Sequence, residues 1–408
     1  MFIRALKATL DPVRSVLDDM RLPADAKREI RRDRAGLPAE DMGPERVITA
    51  SLDWIGRAQD NSPNADGGVA RHYSLVSGWG RSYPETTGYI VPTMLEQARL
   101  LDQPDLAERA RRMLDWFVEI QFPEGGFQGG LIGMEPKVPV TFNTGQILIG
   151  LAAGVSVFGD DYRDAMHRAA DWLAQSLDDD GCWRKHRTPF AKADDKAYET
   201  HVSWGLFDAA RQAPDKGWGE AGLKQVQWAL SKQQENGWMA SCCLDDPSRP
   251  LSHTLGYALR GIIEAWLFSG EERYLQAARK LADGMLGCVR KDGYLPGRLL
   301  PDWTPAVDWV CLTGAVQTAY CWLKLFQHTG HTPYRDAALS ANRYARRSVA
   351  LEGPDGTRGG VKGAFPVDGD YGAFEYLNWA AKFLIDANQI ELDVLSGKPV
   401  AEIPGGPK

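Results

Sequence analysis

Apolar positions in this chain recur at intervals of three and four, the spacing of one face of an α-helix. Leu106, Ala107, Ala110, Met113, Leu114 and Phe117 form one such stripe. Between the stripes lie segments that are small and apolar on nearly every face, such as Gly145–Ala153 and Leu312–Ala319. A helix apolar all round is a buried helix, so the pattern predicts inner helices alternating with amphipathic outer ones. The inner helices are expected to begin near Gly88, Asn143, Thr200, His253, Leu312 and Phe374.

The alternation is periodic. Loops reading Asp66-Gly67-Gly68-Val69, Glu124-Gly125-Gly126-Phe127, Asp180-Gly181-Cys182-Trp183, Asn236-Gly237-Trp238 and Asp292-Gly293-Tyr294 follow one another, with a looser copy at Gly359-Gly360-Val361. About ten residues before each loop stands a second recurring position: Asp53-Trp54, Asp115-Trp116, Asp171-Trp172, Gln227-Trp228 and Asp283-Gly284. From Trp116 to Gly284 the interval is 56 residues each time. A fixed period with matching punctuation marks a repeat architecture. The first repeat supplies only an outer helix, about Glu45 to Asp60, and the last only an inner one, Phe374 to Asn388. Each terminal half has an apolar face that the other can cover, so the repeats are expected to close into a ring. Closure sets the long loops 61–87 and 353–373 side by side.

On these inner–outer pairs and glycine–aromatic loops, residues 45 to 388 resemble the (α/α)6 toroids, all-α rings of six helical hairpins. That superfamily includes six-hairpin glycosidases, polysaccharide lyases and sugar epimerases, and more distantly terpenoid cyclases, prenyltransferases and lanthionine cyclases. The domain reading is an N-terminal helical extension over 1–40, a toroid over 41–390 and a C-terminal tail over 391–408. The charged run Lys27–Arg34 reads as a solvated helix on the ring's exterior.

Composition narrows the functions. The 408 residues carry a net charge of −7, which argues against a broad nucleic-acid surface. The N-terminal sequence MFIRALKATLDPVRSVLDDM lacks a continuous apolar stretch, and no later segment reads as long enough to span a bilayer, so a cytoplasmic location is expected. Six cysteines without CxxC spacing read as free thiols. Oligomeric state is left open.

In a toroid the inner-helix N-termini gather around one mouth, where free N–H groups and helix dipoles favour polar ligands. Four of these openings carry carboxylates, Glu85, Glu199, Asp308 and Glu375. Each would serve equally as a helix cap, but His201 and His253 stand at two of the same openings. These six are the candidate catalytic residues. Arg71, His72, Tyr73, Trp79, Arg81, Asn143, Tyr198, Trp204, Tyr257, Arg260, Trp309, Tyr371 and Asn378 are the candidate substrate contacts, aromatic faces suiting sugar rings and polar groups their hydroxyls. Trp183, Trp238 and Trp303 also lie near loops, whereas Trp54, Trp116, Trp172 and Trp228 read as core.

The leading expectation is a carbohydrate-active enzyme on an oligo- or polysaccharide, a glycoside hydrolase pairing Glu199 with Glu85 or Asp308 as acid and base or nucleophile. The alternative is a uronate lyase or sugar epimerase, with Tyr or His as base and Arg or Asn neutralising a carboxylate. A third reading is a non-catalytic glycan-binding ring. No cofactor or metal is expected. Asp178-Asp179-Asp180 occupies a loop position rather than a cyclase site, and no Cys–His neighbour pair offers zinc its ligands.

Overall fold

The computed structural model of the protein describes residues 21–192 and 194–400. Within them the repeats close into an (α/α)6 toroid. The inner ring is α3 (Pro84–Leu101), α5 (Thr141–Phe158), α7 (Thr200–Gln212), α9 (Ser252–Ser269), α11 (Leu312–Thr329) and α13 (Asn378–Leu395). Outside it stand α2 (Pro44–Asp60), α4 (Pro104–Ile120), α6 (Arg163–Ser176), α8 (Trp218–Leu230), α10 (Glu272–Leu286) and α12 (Thr332–Arg346). Each inner helix packs on the next, and α13 closes the circle against both α3 and α2.

The recurring residues have recurring physical roles. Gly67, Gly125, Gly181, Gly237, Gly293 and Gly359 all adopt positive φ, and each lies against a backbone carbonyl of an outer helix: Arg112, Arg168, Lys224, Lys280, Ser340 and finally Ala50 of α2. The sixth contact is the ring closure itself. Two aspartates of the Asp-Trp positions accept hydrogen bonds from the start of the following outer helix, Tyr162 Oη to Asp115 at 2.8 Å and Trp218 Nε1 to Asp171 at 2.8 Å. Trp54, Trp116, Trp172 and Trp228 are buried, and the core is continuous between the two helix layers.

Three boundaries differ from expectation. Pro84 at the first turn of α3 starts that helix four residues before Gly88, because its missing N–H costs nothing there. Residues 375–377 form a strand, so α13 starts at Asn378 instead of Phe374. It then runs to Leu395, into the stretch read as tail. By length and composition the helical run Thr141–Ser176 is apolar enough to cross a membrane, which the sequence reading missed; 72% of its apolar window is buried inside the ring.

Closure brings the two long loops together as expected. Strand β1 (His72–Ser74) pairs antiparallel with β2 (Gly78–Trp79) on one side and with β5 (Glu375–Leu377) on the other. A second small sheet joins β3 (Val310–Cys311) to β4 (Ala364–Phe365).

Residues 1–20 of the expected extension and 401–408 of the tail lie outside the described residues. The described part of the extension forms α1 (Ala24–Arg34), and its charged run is not wholly solvated. Asp33 is buried, its carboxylate accepting from Lys362 Nζ at 2.5 Å and from the Val367 N–H at 2.8 Å. Glu29 lies 2.6 Å from the same ammonium. Replacing Asp33 with Ala leaves Lys362 buried with half its counter-charge and is expected to lower unfolding free energy by about 2 kcal/mol. Urea denaturation of the full chain measures this, and an unchanged midpoint would show that α1 is not clamped.

Candidate active site

The inner-helix N-termini surround a cavity of about 230 Å³. Arg71, Glu85, Asn143, Tyr198, His253, Tyr257 and Tyr371 line it, so seven of the sequence candidates meet in one place. Tyr83, Tyr89, Phe142 and Trp379 complete the aromatic wall, while Phe190 and Leu244 stand at its rim.

Glu85 is the carboxylate in that wall. Burial pushes its carboxyl up to about 7, against the opposing pull of the Tyr83 hydroxyl and the Arg71 charge. Tyr83 Oη donates to Glu85 Oε2 at 2.6 Å. Arg71 donates to Glu375 Oε2 at 2.7 Å and to His72 Nδ1 at 2.6 Å, with its guanidinium 5.2 Å from the Trp379 ring centre. The cation is therefore fixed in position from behind. Trp379 is held in turn, its Nε1 donating to Tyr371 Oη at 2.9 Å.

His253 Nδ1 stands 2.6 Å from the amide oxygen of Gln317. That oxygen can only accept, so Nδ1 carries the proton and Nε2 is left with its lone pair. Burial brings the imidazole down to about 4, against the raising effect of Gln317, so it is neutral over most of the pH range. His201 repeats the arrangement one helix back, with Nδ1 2.6 Å from Gln146 Oε1. It is wholly buried, its Nε2 has no hydrogen-bond partner among the described residues, and it is not part of the cavity wall. Tyr257 lies between the two rings, 4.4 Å from His201 and 4.3 Å from His253 between centres.

The remaining candidates lie elsewhere. Glu199 is buried behind the wall, where loss of solvent pushes its carboxyl up to about 8 against Arg187 and Lys196. Asp308 is exposed in the loop before α11. Neither lines the cavity, so of the expected pairs, Glu199 with Glu85 or with Asp308, only Glu85 faces it. Glu375 and His72 stand behind Arg71. Trp204 and Arg260 line a second, polar cavity with Lys382 and Asp386, the guanidinium stacked 4.0 Å from the Trp204 ring centre and 4.3 Å from that of Tyr320. Arg260 is eight residues into α9, about 12 Å below its start at 1.5 Å per residue, which removes it from the mouth.

Tyr73 packs edge-on against Trp79 at 5.1 Å, and Trp79 against Trp54 at 5.5 Å, all outside the cavity. Arg81 is exposed. Trp309 is buried with Leu251, Cys311 and Ala364. Asn378 is buried and donates to the Ala70 carbonyl at 3.0 Å. Trp183 and Trp238 are core. Trp379, Phe190 and Leu244 were not singled out in the sequence. Trp379 had a signal, its place beside Asn378 at an inner-helix start.

No family model and no curated protein matches the chain. Its fold is similar to solved structures. An unsaturated glucuronyl hydrolase specific for heparin superposes with a TM-score of 0.70 at 13% identity, over 86% of this chain and 98% of the other. Cellobiose 2-epimerase from Bacillus thermoamylovorans gives 0.66 at 12% identity, over 88% and 98%. Unsaturated glucuronyl hydrolase from Streptococcus agalactiae gives 0.64 at 10%, over 87% and 93%. These likenesses establish the toroid; the chemistry has to come from the residues in the wall.

Proposed function

We propose that the protein is an enzyme of acidic saccharides that transfers a proton at the carbon beside the sugar's carboxylate. One observation carries the reading: a single cavity wall holds a carboxylic acid still protonated near neutrality, a neutral imidazole with a free Nε2 and a fixed guanidinium. The sugar class comes from the names of the structural neighbours, unsaturated glucuronyl hydrolase and cellobiose 2-epimerase. Hydrolysis through paired carboxylates needs a second carboxyl group across the bond. Glu85 has no such partner among the residues lining the cavity.

The roles follow from the groups. Arg71, held by Glu375 and Trp379, turns its remaining N–H groups to the substrate carboxylate. That contact stabilises the charge which spreads into the carboxylate as the neighbouring carbon loses its proton. His253 Nε2 takes that proton. Glu85 donates its own, to a departing glycosidic oxygen in elimination or to the opposite face of the carbon in epimerisation. Tyr89, Tyr198, Tyr257 and Trp379 present faces to the sugar ring.

Activity then needs neutral His253 and protonated Glu85. The profile of kcat/KM against pH should be a bell, its acid limb near the imidazole at about 4 and its basic limb near the carboxyl at about 7. Rates on a panel of uronic-acid saccharides measure it. A rate still climbing at pH 9 would remove Glu85 as the acid.

A further inference from the structure

The cavity does not end at its rim. Phe190, Ala191 and Leu244 line both the cavity and an open trough outside it, which Pro189, Lys192 and Asp245 complete. Phe190 is 41% exposed and Leu244 38%. Other large apolar side chains with comparable exposure among the described residues, such as Val118 and Val157, line neither of these spaces. Single exposed apolar residues are ordinary, but these two stand on different loops and meet at one opening.

Both are held in place. The Phe190 ring lies over Gly130, where an added Cβ would come within 2.7 Å of the ring edge. Leu244 sits on fixed backbone, since the Cys243 carbonyl accepts from Lys196 Nζ at 3.0 Å and Asp245 is bound by Arg298 at 2.7 Å. The rim thus sets two large apolar side chains on an open surface continuous with the active cavity.

Resting on the reading that this cavity takes an acidic sugar, we propose that the trough is a subsite for an apolar group attached to that sugar. The substrate is then a small acidic saccharide carrying an alkyl or aryl substituent. The cavity, below the roughly 300 Å³ at which drug-sized pockets begin, is sized for about one sugar unit, so a group attached to that sugar can extend past Phe190 and Leu244 into the trough. A continuing polysaccharide would present hydroxyl groups there. Of the side chains lining the trough, Lys192 and an Asp245 already committed to Arg298 are polar, and Pro189, Phe190, Ala191 and Leu244 are apolar.

Calorimetric titration of the full chain with methyl glucuronide, hexyl glucuronide and hexyl glucoside separates the claims. Hexyl glucuronide should bind at least tenfold more tightly than methyl glucuronide. Phe190→Ala and Leu244→Ala should each cut that preference several-fold, weakening hexyl glucuronide more than methyl glucuronide. Equal affinity for the methyl and hexyl glucuronides, or a preference untouched by both substitutions, overturns the subsite. If hexyl glucoside binds as well as hexyl glucuronide and the substitutions weaken both, the subsite stands and the acidic-sugar reading falls. Binding of no probe overturns both.

Discussion

Glu85→Gln should lower kcat on an acidic saccharide by about 10² to 10⁴-fold, the usual contribution of a general acid, while KM changes little. Glutamine has the same shape and can still accept the Tyr83 hydroxyl bond of 2.6 Å, so the wall stays in place. What is lost is a proton available near neutrality, which burial supplies by raising the carboxyl to about 7. Glu199→Gln is the paired control. Glu199 carries a carboxyl raised even further, to about 8, but behind the wall, so its substitution should leave kcat within a few-fold. The reverse ranking would return Glu199 to the catalytic role that the sequence suggested and take it from Glu85.

The second large effect is on stability. Gly237→Ala should lower unfolding free energy by about 3 to 5 kcal/mol, combining left-handed backbone strain with overpacking. Its φ is 84°, and an added Cβ would meet the Lys280 carbonyl of α10, backbone that cannot move without disturbing the next repeat. Gly330→Ala separates the two causes. Its φ is 67° but no described residue comes within 4 Å of an added Cβ, so only the strain remains, about 1 kcal/mol. Equal losses for the two variants, measured by urea denaturation, would show that the loop glycines do not lock neighbouring repeats.

That glycine contact also shows why the ring was legible in the sequence. The repeat keeps a glycine where each of these loops meets an outer-helix carbonyl, and aspartates at Asp115 and Asp171, where the next helix offers a Tyr or Trp donor. These are packing requirements repeated around the ring, so they recur in register. The ring's mouth was legible for the same reason, and it gathers Arg71, Glu85, Asn143, Tyr198, His253, Tyr257 and Tyr371.

Side-chain direction was not legible. Tyr198 and Glu199 lie in a short 3₁₀ turn before α7, where successive residues are about 120° apart, so Tyr198 lines the cavity while Glu199 lies behind it. His253 is in the wall, whereas His201 is buried with the same glutamine partnership. Depth was a second loss, since Trp204 and Arg260 share the openings' sequence neighbourhood but lie farther along their helices. Third, ring closure lets β5 bring Glu375 to Arg71, a pairing of residues 304 apart that turns a candidate catalyst into the anchor of a cation.

The central claim is proton transfer at a sugar carbon, and the direct test is the isotope found there. The full-length protein would be incubated with uronic-acid saccharides in heavy water and the products examined by NMR and mass spectrometry, with Glu85→Gln alongside. The account predicts either a deuteron bound to carbon beside the carboxylate or a carbon–carbon double bond at that position, absorbing near 235 nm, and neither with the variant. Release of reducing ends, with every carbon-bound hydrogen retained and no double bond formed, would contradict it.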